Sequence, residues 1–148
     1  HNLAPKCARY LKQKHGVRVL TFSNLPAATL VKVPDEYYVA ISERDIEILN
    51  KRSWFSVQSS RFDAWSLSGM EALFNGRTLA RAIVAGDDYL VHMRNCLRGG
   101  YDLDELIYNA ERLLEDETLR DNLANTEDLL TWDEQCKIIE RILDDICN

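Results

Sequence analysis

Two carboxylates, Asp63 and Glu71, flank a short run, SSRFDAWSLSGMEALFNG (59–76), that changes from strand-like to helix-like character between them. In open α/β sheets, ligands bind where strand ends meet helix N-termini, whose free N–H groups accept anions. Carboxylates at such a junction accept hydrogen bonds from sugar or ribose hydroxyls, and the amides between them hold a phosphate. A helix starting near Ser66 puts Glu71 about one turn inside it, facing the same crevice as Asp63. The same placement is explained without any ligand, because an acid near a helix N-terminus gains ~0.3–1 kcal/mol from the macrodipole. Spacing alone leaves both readings open and favours the second.

Other residues carry weaker signals. Arg61, Arg77, Arg81 and Arg98 are candidates for phosphate or acidic-partner contacts, Arg61 being the nearest to the two acids, although an ordinary solvated role is the stronger expectation for each. His15, before Gly16, suits a helix C-terminus. His92 reads as exposed on a short helix. Trp54 and Trp132 read as packing, whereas Trp65 sits in the loop between the acids, where it can stack on a base or sugar. Cys7, Cys96, Cys136 and Cys147 form no C-x-x-C pair and lie among apolar neighbours, so reduced thiols are expected rather than disulfides or a zinc site.

The elements that must position these residues can be read from periodicity. Residues 4–14 place Cys7, Ala8 and Leu11 on one helical face, and VRVLTF after Gly16 reads as a strand. ATLVKV (28–33) is a short extended piece between Pro26 and Pro34, and YYVAI (37–41) a strand. Ser42 caps a helix over RDIEILNKR, with Asp45 three residues on. WFSVQ (54–58) is the next strand, SSRFDAWS the loop, and LSGMEALF a helix ending at Gly76. TLARAIV is ambiguous between strand and helix, DYLVHMR reads as a short helix and LRGG as a turn. LDELIYNAERLLED is the clearest helix, behind Asp102 as N-cap. ETLRDNLANTEDLL is a weaker helix, and TWDEQCKIIERILDD opens on a Thr131-x-x-Glu134 capping box. The apolar stripes of these last three helices are expected in the core. Strands alternating with helices, then helices only, predict an α/β Rossmann-like three-layer domain with a parallel sheet and a helical C-terminal end.

The chain has 148 residues, the size of one domain, so residues 1–148 are read as one unit with a single core. A net charge of −6 with scattered Lys and Arg argues against a nucleic-acid partner. No apolar run approaches the ~20 residues of a membrane span, and no signal peptide is evident, so a cytoplasmic place is expected, with peripheral membrane association left open. The first residue is His1 rather than Met, which reads as a piece of a longer protein.

The ordered set of motifs resembles family 4 glycosyltransferases of the GT-B fold. Their signature, Glu-x7-Glu followed by Ala-(Met/Leu)-x-x-Gly, is matched by Asp63-x7-Glu71, Ala72, Leu73 and Gly76. RDIEILNKRSWFSVQ resembles the helix and strand on the N-terminal side of that signature. YDLDELIYNAERLLEDETLRDNL resembles the segment on its C-terminal side, and TWDEQCKIIERIL the family's closing helix. The resemblance implies the C-terminal, donor-binding half of a retaining transferase. A nucleotide-diphosphate sugar is then the donor substrate, and no further cofactor or metal is needed. Asp63 stands where the first acid contacts the transferred sugar, and Glu71 where the second contacts the ribose. Trp65, Ser66 and Leu67 stand where backbone amides approach the donor's sugar and phosphates. The acceptor and any catalytic base belong to an N-terminal domain, so residues 1–148 alone are expected to be inactive. Asp63 replaces the family's usual glutamate, Ser66 its usual glycine, and the family's Gly-Arg…Lys-Gly segment does not precede residue 4. These departures motivate the alternative, a non-catalytic Rossmann-like binding or assembly module with a decayed sugar site. A nucleotide-sugar epimerase is disfavoured, since no His-plus-acid set lies near the crevice.

Overall fold

The computed structural model describes residues 3–23, 34–64, 66–124, 126, 129 and 131–147, the side chains of 132, 135 and 145–147 excepted. Trp65 and the ATLVKV segment lie outside the described residues, as do the side chains of Trp132 and Cys147.

Helix α1 (Ala4–His15) has Pro5 in its first turn and stops at Gly16, whose φ of 66° lets its N–H reach back to the Lys12 carbonyl. Strands β1 (Leu20–Ser23) and β2 (Glu36–Val39) pair in parallel. Helix α2 (Glu43–Arg52) carries the expected capping box between Ser42 and Asp45. Strand β3 (Ser56–Asp63) runs into helix α3 (Leu67–Phe74), and strand β4 (Leu79–Gly86) comes next. Strand β5 (Leu97–Gly99), α4 (Leu103–Glu115), α5 (Glu117–Leu123) and α6 (Trp132–Cys147) complete the order. The described strands form two parallel sheets, β1-β2 and β3-β4-β5.

The ambiguous run TLARAIV is a strand because it lies between layers. Ala80 and Ala82 of β4 face α1 and α4, sharing a core with Cys7, Leu11, Leu97, Leu106, Ala110 and Leu113. Leu79 faces the other way, packing with Leu73 of α3, Leu90 and Cys96. Alanine on the α4 side lets that helix approach the sheet closely, and burial on both faces is the usual state of a parallel strand. The result is the three-layer α/β fold that the alternation predicts.

Four local expectations are corrected. DYLVHMR is not helical: Asn95 accepts from the Val91 N–H and donates to the Tyr89 carbonyl, and Met93 sits at a φ of 62°, so side-chain bonds and a left-handed residue displace the helix ladder. LRGG is not a turn, since Leu97–Gly99 adds β5 to the edge of β4. The strand read as residues 54–58 extends to Asp63, so Asp63 ends a strand rather than sitting in a loop. The stripe of α6 is not core: Cys136, Ile139 and Leu143 are exposed, and the α4 side of the sheet is already filled by α1 and α4. Trp54 is exposed as well, with the Arg120 guanidinium 5.3 Å from its ring. Among the described residues no helix is long and apolar enough to cross a membrane.

Candidate functional site

The junction of β3, α3 and β4 is built around a buried arginine. Arg81, expected to be solvated, is only 3% exposed on the α3 face of β4. Its Nη2 donates to Asp63 Oδ2 at 3.0 Å and to Asp87 Oδ2, while Nη1 reaches Gln58 Oε1 at 3.4 Å. A cation held in the core needs such partners, because desolvation of an unpaired charge costs several kcal/mol. The Asp87 carboxylate is fully buried, and its Oδ1 accepts the Ser66 backbone N–H at 2.9 Å. Tyr89 completes the frame by donating from its hydroxyl to the Ser66 carbonyl at 2.5 Å. Burial beside the Asp87 charge pushes the Tyr89 phenol well above its ordinary range, so it stays a donor.

Ser66 is the N-cap of α3. Its Oγ accepts from the Gly69 N–H at 3.3 Å and donates to Gln58 Oε1 at 3.3 Å. The side chain therefore turns inward, toward Gln58 and the first turn of α3. Leu67, the first helical residue, is 59% exposed. Asp63 keeps part of its side chain in solvent, and its Oδ1 makes no hydrogen bond among the described residues.

Glu71 is placed differently. It lies on α3, half-buried, and its carboxylate has no hydrogen bond or ion pair among the described residues. Burial raises its pKa, and the charge of Glu43, at the start of α2, raises it further. The structure thus separates the two acids chemically: Asp63 is paired with a cation, and Glu71 is held against its own desolvation.

The remaining candidates are drawn into structure. Arg61 points to the face covered by α4, its guanidinium 5.4 Å from the Tyr101 ring. Arg77 donates to the carbonyls of Asn50, Lys51 and Gly76, and Arg98 to those of Gly86, Asp87 and Leu90, so neither is the solvated arginine expected. His92 is exposed in the loop before β5, its Nδ1 accepting from the Arg98 N–H, while His15 at the end of α1 meets Glu111 at 2.8 Å. Cavities of about 460 and 500 Å³ lie away from the acids, the first at the amino ends of β3 and β4 beside Trp54 and Thr78, the second between α4 and α5. Convergent polar groups mark the β3–α3 junction as the chemical candidate, and these cavities do not.

Asp87 and Tyr89 do not stand out by residue spacing. Their signal in the sequence is Gly86-Asp87-Asp88-Tyr89, a glycine and acids directly after a β-rich run, where a strand's carboxyl end borders the crevice.

No family model, curated protein or solved structure matches the chain. The chemistry open to the protein is that of the junction itself. A strand end carrying one part-exposed carboxylate, a capped helix N-terminus and an unpaired acid one turn further on can together accept hydroxyl donors and offer amides to an anion.

Proposed function

We propose that this chain is the donor-binding domain of a glycosyltransferase resembling family 4, which holds a nucleotide-diphosphate sugar for transfer to an acceptor bound by another domain. The observation that carries the reading is Glu71. A half-buried carboxylate with no hydrogen bond or ion pair among the described residues, kept at the carboxyl side of a parallel sheet and held near the charge of Glu43, costs stability that no polar contact among those residues offsets. Ribose hydroxyls, donating to both of its oxygens, would supply the missing partners. The exposed start of α3 at Leu67 and the free Oδ1 of Asp63 support a phosphate and a sugar beside it.

One observation favours the second reading, a binding or assembly module whose sugar site has decayed. Arg81 takes one oxygen of Asp63, and Asp87 takes the Ser66 amide, so part of the site's polarity is spent internally.

The test is NMR titration of the chain with a panel of nucleoside diphosphates and their glucose, galactose and N-acetylglucosamine esters. Shifts at residues 59–76 and at Glu43 are expected. Shifts confined to other surfaces, or none with any member of the panel, would sink the transferase reading and leave the module.

A further inference from the structure

We propose that Tyr89 is a positioning residue for the diphosphate of the donor: its hydroxyl, admitted by the missing side chain of Gly69, fixes the Ser66–Leu67 peptide so that the Leu67 amide is aimed at the ligand. This role rests on the donor-binding reading, and Tyr89 lies outside the 59–76 stretch that carries the two acids.

Of the Ser66 and Leu67 amides, only the second is open to a ligand. The Ser66 N–H is turned inward to Asp87 Oδ1 at 2.9 Å, whereas the Leu67 and Ser68 N–H groups meet no acceptor among the described residues. The Ser66 carbonyl accepts from the Gly69 and Met70 N–H groups at 3.1 Å each and from the Tyr89 hydroxyl at 2.5 Å. That carbonyl and the Leu67 N–H belong to one planar trans peptide, so they point in opposite directions. Donors that hold the oxygen on the inner side therefore hold the N–H outward, at the exposed start of α3. The two backbone donors come with any helix, but the phenol does not. Asp87 grips the peptide before Ser66 and Tyr89 the peptide after it, so the segment following β4 fixes both. An amide fixed in this way stabilises incoming charge without reorganising when the ligand arrives.

Gly69 shows that the place of the hydroxyl is built into the helix. Glycine is the weakest helix former after proline, and Gly69 lies inside α3 without the positive φ that would call for it. Space calls for it instead. A Cβ there would stand 2.6 Å from the Tyr89 hydroxyl oxygen, while the next nearest atom, Ser66 Oγ, would be at 3.4 Å. A side chain at position 69 must push the phenol off the Ser66 carbonyl. The Tyr89 ring has little room to give, because it packs against the cluster of Leu73, Leu79, Leu90 and Cys96.

The test compares Tyr89→Phe, Gly69→Ala and the two combined, by thermal melting and by NMR titration with sodium pyrophosphate at low ionic strength. In the parent chain pyrophosphate is expected to shift the Leu67 and Ser68 amides. Tyr89→Phe keeps the ring and is expected to weaken pyrophosphate binding about fivefold, the worth of one hydrogen bond. Gly69→Ala is expected to melt below the parent. The combined variant is expected to melt no lower than Tyr89→Phe, since the methyl group takes the space of the lost hydroxyl, yet to bind pyrophosphate no better. Stability that returns without binding is what a merely structural tyrosine would not show. Parent-like affinity in Tyr89→Phe, parent-like melting in Gly69→Ala, or binding restored together with stability in the combined variant overturns the role of Tyr89. A parent chain without affinity for pyrophosphate overturns it as well, and that result alone also counts against the donor-binding reading.

Discussion

Arg81 joins Asp63 to Asp87: one guanidinium nitrogen donates to both carboxylates, so the last residue of β3 and the first residue after β4 are held by a single buried cation. Asp87 passes the constraint on, because its other oxygen takes the N–H of the α3 N-cap. The geometry of the whole crevice floor thus depends on one side chain. Its Nε has no partner among the described residues, which adds to the cost of keeping it there.

Arg81→Met removes that cation and leaves Asp87 buried without a counter-charge. Breaking one side of a buried pair costs about 3–5 kcal/mol, so urea unfolding should show a midpoint far below that of the parent chain. The double variant Arg81→Met/Asp87→Leu removes both charges and should recover part of the loss. If Arg81→Met is as stable as the parent, the network contributes nothing to the fold.

Gly86 and Gly76 both have positive φ, 102° and 68°, yet their surroundings differ. A Cβ on Gly86 would stand 1.7 Å from the Asp63 carbonyl oxygen, whereas a Cβ on Gly76 would meet nothing within 4 Å. Gly76→Ala should therefore cost only the left-handed penalty of about 1–2 kcal/mol. Gly86→Ala must also push β3 from β4 beside Asp63, and thermal melting should place it well below Gly76→Ala. Equal melting temperatures would show that the β3–β4 ends tolerate separation.

Burial pushes the thiols of Cys7 and Cys96 up to about 12, while Cys136 lies exposed on α6. Because the thiolate is the nucleophile, iodoacetamide at pH 8 should modify Cys136 and spare Cys7 and Cys96 until the chain is unfolded. Peptide mapping by mass spectrometry reads this directly. Rapid native labelling of Cys7 would mean that α1 does not stay packed on α4.

Much of this architecture was legible because local signals and tertiary demands agree. The Ser42 and Thr131 capping boxes, the Asp102 N-cap and the α4 stripe all form as their spacing predicts. Legibility failed where the decisive interaction is long-range. Nothing in the spacing of DYLVHMR announces that Asn95 will bond back to the Tyr89 and Val91 backbone. Arg81 reads as a surface arginine because the two acids that allow its burial lie 18 and 6 positions away. The place of Asp63 and Glu71 at a strand-to-helix junction was readable. Their opposite environments, one beside a cation and one desolvated, depend on β4 and α2 packing against α3 and had no local signature.

Glu71→Gln separates stability from binding. Burial, and then the Glu43 charge, raise the Glu71 pKa in the folded chain above its unfolded value. The favourable contribution of the protonated acid is therefore complete below the ordinary glutamate range and lost as pH rises through the raised folded value. At neutral pH the ionised side chain is a burden that glutamine lacks, so the variant should be slightly more stable than the parent. Solvent screening of this half-buried site keeps the gain to about 0.5 kcal/mol. The difference should vanish on acidification below about pH 4. Under the proposed function the same change removes a charge-assisted contact to the donor ribose, of about 1.5–3 kcal/mol, and should weaken nucleotide-sugar binding about ten- to a hundredfold. Denaturation across pH checks the first effect and calorimetry at pH 7 the second. A variant that gains stability at neutral pH and loses none of its affinity would leave Glu71 a misplaced acid with no ligand to explain it.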